Sequence, residues 1–315
     1  MREFIRRWTL AISMMAGASS YFILSWLPLG GGMRRWLLQG VGVVQPVLIF
    51  LMLFLTFCRV NPSQMRLCRW QMWNLLLQAG MFALLCLVLV LFPLTPLRPV
   101  IEGALLCFIC PTATAAVVVT SKLGGRAGTT TAYTLLINLG VAILVPLLVP
   151  LAHPQAGMGF AHAFSMILSK VFPLLLCPIV AAELLRRLSP GLTSRLASLR
   201  DLPFHLWAVA LALALAVTTR SLVTSHVSLA LAGGIALASL LACIIQFAVG
   251  RLAGRKYGDP ISGAQSCGQK NTVFAIWMGY TFLTPVTALA GGFYSIWHNV
   301  YNSWQLAQMR KRNCQ

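Results

Sequence analysis

A single lysine interrupts the most polar stretch of an otherwise apolar run. Ser262-Gly263-Ala264-Gln265-Ser266-Cys267-Gly268-Gln269-Lys270-Asn271-Thr272 opens a hydrophobic segment that continues to about Leu283. A charged side chain inside a membrane span costs about 2.5–3.5 kcal/mol on insertion scales, so such a residue is rarely kept without a role. The neighbours of Lys270 are amides and hydroxyls, which line a wet cavity more readily than they face lipid. The chemistry open to them is binding: a fixed cation for an anionic ligand, with donors and acceptors around it.

A second oddity is Cys110-Pro111-Thr112-Ala113-Thr114-Ala115-Ala116, again in the middle of an apolar run. Pro111 removes a backbone donor and breaks or kinks the helix that precedes it. Irregular backbone at membrane depth persists only where protein or a cavity satisfies it. Two helix breaks are therefore expected, at Pro111 and at Gly268, with Thr112, Thr114, Ser266, Gln269, Lys270 and Asn271 as the residues they bring forward.

The elements that must hold these breaks follow from composition. Of 315 residues, 58% are hydrophobic and 9% charged, and the mean hydropathy is +0.81. That is the make-up of a chain whose main solvent is lipid. Segments of about 20 apolar residues cross the bilayer core. Ten are expected, at roughly 8–28, 36–57, 71–92, 101–121, 129–151, 168–186, 203–219, 227–249, 261–282 and 286–306. The breaks fall in the fourth and the ninth, the fourth of each set of five. An odd number of spans per half inverts the second half, and paired broken helices at equivalent positions of inverted repeats point to a transporter's binding site. The expected fold is an all-α polytopic membrane protein, one domain of ten transmembrane helices in two inverted five-helix repeats, 1–152 and 153–315.

The net charge of +19 is distributed as a membrane topology requires, not as a nucleic-acid surface does. With the N-terminus inside, the inner loops hold Arg2, Arg6, Arg7; Arg59, Arg66, Arg69; Lys122, Arg126; Arg186, Arg187, Arg195, Arg200; Arg251, Arg255, Lys256; and Arg310, Lys311, Arg312. The outer loops hold only Arg34, Arg35, Arg98 and Arg220. This is a positive-inside pattern with both termini cytoplasmic. The basic loops face anionic headgroups, so the bilayer is the partner they imply and nucleic acid is not. Lys170, near the start of the sixth span after the amphipathic residues 160–169, suits snorkelling or an interfacial helix.

No catalytic constellation accompanies these features. The acids Glu3, Glu102, Glu183, Asp201 and Asp259 all lie at or near span ends. The nine cysteines, Cys314 among them, have neither disulfide nor zinc spacing. Cys107 and Cys110 form a C-x-x-C pattern on a membrane helix, where they act as small packing residues. No enzyme activity, cofactor or metal is expected. The arginines and apolar run at the N-terminus look like a signal peptide but are long for one, and an uncleaved first span is expected.

Together these residues resemble the bile acid:sodium symporter family, in particular its bacterial members. Gly291-Gly292-Phe293-Tyr294-Ser295-Ile296-Trp297-His298-Asn299 is similar to the family's G-A-L-F-S-V-W-H-N. Pro111-Thr112-Ala113-Thr114-Ala115-Ala116-Val117-Val118, a basic turn from Lys122 to Arg126, and Thr129-Thr130-Thr131 with Thr134 resemble its P-G-G-T-A-S-N-V, basic turn and hydroxyl-rich fifth span. Ungapped from Pro111, the match reaches Pro146, where the family also has a proline. Ser266-Cys267-Gly268-Gln269-Lys270-Asn271 resembles E-x-G-x-Q-N.

The resemblance implies a carrier of a small organic anion, such as a bile acid, keto acid or pantothenate-like acid, in a bacterial inner membrane. It also implies two sodium sites where the fourth and ninth helices cross. Carried over, the Ser-Asn of the fourth-span motif becomes Ala116 and Val117, and the ninth-span Glu and Gln become Ser266 and Lys270. The fifth-span hydroxyls remain as Thr130 and Thr134, and the third-span Gln as Gln78. The anionic ligand is gone, and an ammonium at ~4 Å would repel sodium by about 4 kcal/mol at an effective dielectric near 20. Two sodium ions with one Glu leave one net positive charge; Lys270 with neutral Ser266 leaves the same. The expectation is a sodium-independent carrier in which Lys270 replaces the ions and bonds Thr114, Thr130, Thr134 or unwound carbonyls. Sodium- or proton-coupled transport, or a sensor of the same fold, are the alternatives. His298 and Asn299 either face the substrate cavity or bond a neighbouring helix. Gln45 and Asn138 are expected to be structural. Snorkelling, or an ion pair with Glu102 or Glu183, is the bland account of Lys270. The topology sets it against both, because Lys270 lies eleven residues beyond Asp259, about 16 Å deep along a helix.

Overall fold

The computed structural model describes residues 2–28, 30–60, 65–154, 157–199, 201–224 and 227–313. Arg200 and Cys314 lie outside them. Among the described residues the chain is all helical, because a lipid-facing backbone must satisfy its own hydrogen bonds. Six helices are long and apolar enough to cross a membrane: Gly31–Arg59, Arg69–Leu91, Ala127–Ala152, Phe160–Leu188, Leu202–Thr224 and Leu229–Lys256. These are the proportions of a multi-pass membrane protein.

The chain divides into two compact units. One comprises Met1–Arg59 and Cys177–Ser228. It contains α1 (Arg2–Trp26), α2 (Gly31–Arg59), the last part of α7 (Phe160–Leu188), α8 (Pro190–Ser198) and α9 (Leu202–Thr224). A Cβ on Gly17 of α1 would lie 2.3 Å from the Ala212 carbonyl oxygen, so α1 and α9 meet backbone to backbone. Arg186 donates to the Phe57 carbonyl at 2.8 Å, which ties α7 to the end of α2. The short helix α8 was not among the expected elements. The amphipathic residues 160–169 are no separate interfacial helix either, since they continue into α7.

The second unit comprises Val60–Leu176 and Leu229–Gln315. It holds α3 (Arg69–Leu91), α4 (Arg98–Ile109), α5 (Ala115–Lys122), α6 (Ala127–Ala152), the first part of α7, α10 (Leu229–Lys256), α11 (Pro260–Gly268), α12 (Thr272–Phe282) and α13 (Leu289–Asn313). Each of α4, α5, α11 and α12 is too short to cross a bilayer alone. Each pair has the combined length of one span. Cys110, which precedes Pro111, is extended at φ −51°, ψ 132°, as a residue before proline prefers.

Glycine sets how closely α10 and α11 approach. A Cβ on Gly263 would lie 2.3 Å from the Gly250 carbonyl oxygen, and one on Gly250 would lie 2.5 Å from that of Gly263. Small residues at such contacts let apolar helices pack at backbone distance. One end of this unit gathers basic loops: Gln71 donates to the Arg66 and Thr129 carbonyls, Ser262 pairs with Arg126, and Thr129 donates to Asp259. The opposite end is built around Glu102. Lys170, ten residues into α7, is exposed with its ammonium 5.8 Å from the centre of the Phe282 ring.

Candidate functional site

The two helix breaks meet. Ala113 donates its backbone N–H to Gln269 O at 2.8 Å, and Asn271 donates to Pro111 O at 2.9 Å. The pair forms an isolated antiparallel bridge between Thr112 and Lys270. Two helices therefore end here, α4 and α11, and two begin, α5 and α12. The ends present carbonyls without intrahelical partners and carry negative partial charge.

Every carbonyl around the end of α11 finds a donor. Ser266 O accepts from the Thr112 hydroxyl at 2.6 Å, Cys267 O from Gln78 Nε2 at 3.1 Å and Gly268 O from the Tyr294 hydroxyl at 2.8 Å. Gln265 O accepts from the Gln269 amide, and Gln269 O from Ala113. At the end of α4, Cys107 O accepts from Gln246 Nε2 at 3.1 Å, and Phe108 O accepts from the Lys270 ammonium at 3.2 Å. Lys270 is only 1% exposed. Its charge sits where a helix C-terminus favours a cation, an arrangement worth up to about 2 kcal/mol when partly buried.

Gln78, on α3, is also 3.2 Å from Gln246 of α10 and accepts from Tyr133 at 2.8 Å. Gln246 in turn reaches the Tyr294 hydroxyl at 3.2 Å. The contacts come in matched sets: a glutamine, a cysteine carbonyl just before a break, and a tyrosine on each side.

The remaining predicted residues divide. Asn271 caps α12 by accepting from the Phe274 amide at 3.2 Å. Thr114 stands at the N-cap of α5, half-buried and without a side-chain cap bond. Thr130 bonds Thr120 at 3.2 Å, and Thr134 bonds the Thr130 carbonyl at 2.9 Å. Neither hydroxyl takes its hydrogen bond from Lys270; the unwound helix-end carbonyl does. Ser266 Oγ and Gln269 Oε1 are buried without a protein partner. His298 is buried with its ring 5.7 Å from that of Tyr294, edge to face, and its Nδ1 has no protein partner. Asn299 bonds only its own helix, at Ser295 O, 2.7 Å away.

Snorkelling and an ion pair with Glu102 are both replaced as accounts of Lys270. Glu102 is 1% exposed and accepts from Arg98 at 3.0 Å, His153 at 2.8 Å and Thr287 at 2.9 Å. Glu183 pairs with Arg186 and with Arg187. Gln45 Nε2 and both amide atoms of Asn138 are buried without a protein partner. The Cys110 thiol lies 2.8 Å from Asn271 O, and Cys107 lies 3.8 Å from Ala290 O. Among the described residues no group of three or more His, Cys, Asp or Glu could hold a metal.

Sequence reasoning missed Gln246, Tyr133 and Tyr294. Gln246 had a signal: it is a lone amide in the apolar eighth span. Fold and site define a helical, membrane-type protein whose two broken helices are bridged at their breaks and closed by an ammonium. No protein-family model matches the chain, and no curated protein matches it in sequence.

Proposed function

We propose that this protein is a secondary carrier of a small organic anion that works without sodium, with Lys270 standing in for bound cations. The observation that carries this reading is the buried Lys270 ammonium on Phe108 O, at a point where two helix C-termini converge. Negative helix ends at mid-membrane need a cation, and here the chain brings its own. Ser266, in the position of the family's Glu, is neutral, so the crossing keeps one formal positive charge with no carboxylate beside it, which suits an anionic substrate. The open N-cap of α5 at Thr114 adds donors of the same sign.

The inverted-repeat reading draws support from the matched sets. Gln78 and Gln246 occupy the third span of each half, Cys107 and Cys267 the fourth, and Tyr133 and Tyr294 the fifth. The gathering of Arg66 and Arg126 near Asp259 at one end of the second unit fits the positive-inside pattern from which cytoplasmic termini in a bacterial inner membrane are proposed.

The test is uptake of labelled cholate, pyruvate and pantothenate into proteoliposomes, with sodium replaced by choline at fixed pH. The expected result is uptake that is unchanged by the swap and abolished in Lys270→Gln, with folding retained. Strict dependence on sodium defeats the surrogate-cation reading. Counterflow separates a carrier from a sensor: a sensor binds substrate but exchanges none.

A further inference from the structure

Tyr294, His298, Asn302 and Gln305 fall at i, i+4, i+8 and i+11 along α13, on one face of the helix. That face meets α11 at both ends. The Tyr294 hydroxyl donates to Gly268 O at 2.8 Å, and Gln265 Nε2 donates to Asn302 Oδ1 at 3.0 Å and to Gln305 Oε1 at 2.8 Å. His298, between those contacts, faces the same seam. Gln265 lies in the last turn of α11, and Gln269, the extended residue that follows the helix, adjoins Lys270.

The seam is polar, buried and incompletely paired. Gln265 Oε1, Asn302 Nδ2 and His298 Nδ1 have no protein partner, and Ser266 Oγ and Gln269 Oε1 continue the series toward the crossing. None of these five residues is more than 5% exposed. Ser295 Oγ, also on α13, is unpartnered as well, and so are atoms of Gln45, Trp70, Asn74, Asn138 and Thr218 on other helices. A buried polar atom with no partner forfeits its hydration for nothing, so a run of them calls for a ligand.

The chemistry of the run identifies that ligand. Asn302 Nδ2 can only donate, Gln265 Oε1 and Gln269 Oε1 can only accept, and the Ser266 hydroxyl does both. An anion would want donors alone and a cation acceptors alone. All five residues are uncharged, apart from protonation of His298. Water donates and accepts, and a buried molecule needs about two to four polar partners. We propose that the α11–α13 seam binds a file of water running from the crossing beside Lys270, past His298, to half-buried Gln305. If the carrier reading above holds, this file is the aqueous contact of the crossing with the side that bears the basic loops; only that clause rests on that reading.

The test is radiolytic hydroxyl-radical footprinting of the full chain in nanodiscs, where bound water generates oxidant beside buried side chains. Tyr133, as buried as Tyr294 and bonded to Gln78 away from the seam, is the internal reference. Bound water predicts that His298 and Tyr294 oxidise faster than Tyr133, because oxidant then forms beside them. Rates for His298 and Tyr294 as slow as that of Tyr133 overturn the proposal. In Gln265→Leu/Asn302→Leu, which removes two of the water's partners, His298 oxidation should fall to the Tyr133 level. Undiminished oxidation there overturns the assignment of these partners. If that variant does not fold, the wild-type comparison decides alone. The footprint reads water directly, so a fast His298 supports the file whatever the uptake assay returns.

Discussion

Gln78 and Gln246 hydrogen-bond to each other at 3.2 Å, and each holds a cysteine carbonyl beside a helix break, Cys267 for Gln78 and Cys107 for Gln246, both at 3.1 Å. Two amides from α3 and α10 thus close the ends of α11 and α4 in matching fashion. Broken helices surrounded by apolar packing depend on such donors, because apolar side chains and lipid offer none.

Replacing either glutamine by leucine should destabilise the protein by about 1–3 kcal/mol, since each change strands a buried carbonyl. Gln78→Leu also leaves the Tyr133 hydroxyl without its acceptor. The double variant should lose less than the two singles combined, with a coupling of about 0.5–3 kcal/mol for residues in direct contact. Thermal unfolding in detergent across the four proteins gives the coupling. Additive losses would show that the Gln78–Gln246 contact carries no energy of its own.

If Lys270 stands in for sodium, the ion's requirements can be restored. Ser266→Glu/Lys270→Gln puts a carboxylate and an amide where the resembled family carries its ligands. This variant should melt higher in sodium chloride than in choline chloride, while the wild type melts alike in both. Binding to the folded state alone adds about 2.7 kcal/mol when the ion is at a hundred times its Kd. Equal melting of the double variant in both salts would count against the ion-replacement account.

How far the site could be read from the sequence depended on the kind of signal each residue carries. Pro111 and Gly268 betray the breaks locally, by chemistry that stops a helix, and Lys270 betrays itself by cost. Its partner does not. Phe108 contributes a backbone carbonyl that becomes available only because α4 ends one residue later, and no side chain announces that. Thr130 and Thr134 leave the Lys270 bond to Phe108 O, since a hydroxyl on a helix readily bonds its own preceding turn, as Thr134 does with Thr130 O. The division into two units was equally hidden, because an apolar run gives the length of a span but not its neighbours.

Glu102 offers a test of the end of the second unit opposite the basic loops. It is the shared acceptor for Arg98, His153 and Thr287, which come from α4, the end of α6 and the segment before α13. Glu102→Ala should cost about 1–3 kcal/mol, the lower part of the range applying because Arg98 and His153 retain partial access to solvent. Glu102→Gln keeps the shape and one acceptor oxygen, so it should cost less. Thermal unfolding of the two variants checks the order, and the reverse order would mean that an amide among Arg98, His153 and Thr287 is worse than no side chain there.

The α10–α11 contact predicts opposite outcomes for two formally identical substitutions. In Gly263→Ala the new methyl would start 2.3 Å from Gly250 O and 2.9 Å from the Gly254 Cα, all backbone that cannot rotate away. Separating the helices should cost about 1–3 kcal/mol or more. It should also disturb the crossing, because α11 holds its end through Thr112, Gln78 and Tyr294. Gly80 in α3 has nothing within 4 Å of its Cβ position. Gly80→Ala should instead stabilise by up to about 1 kcal/mol, through the lower backbone entropy of alanine in a helix. The two melting temperatures, moving apart from that of the wild type, separate close backbone packing from helix propensity. A harmless Gly263→Ala would mean that α10 and α11 do not approach this closely.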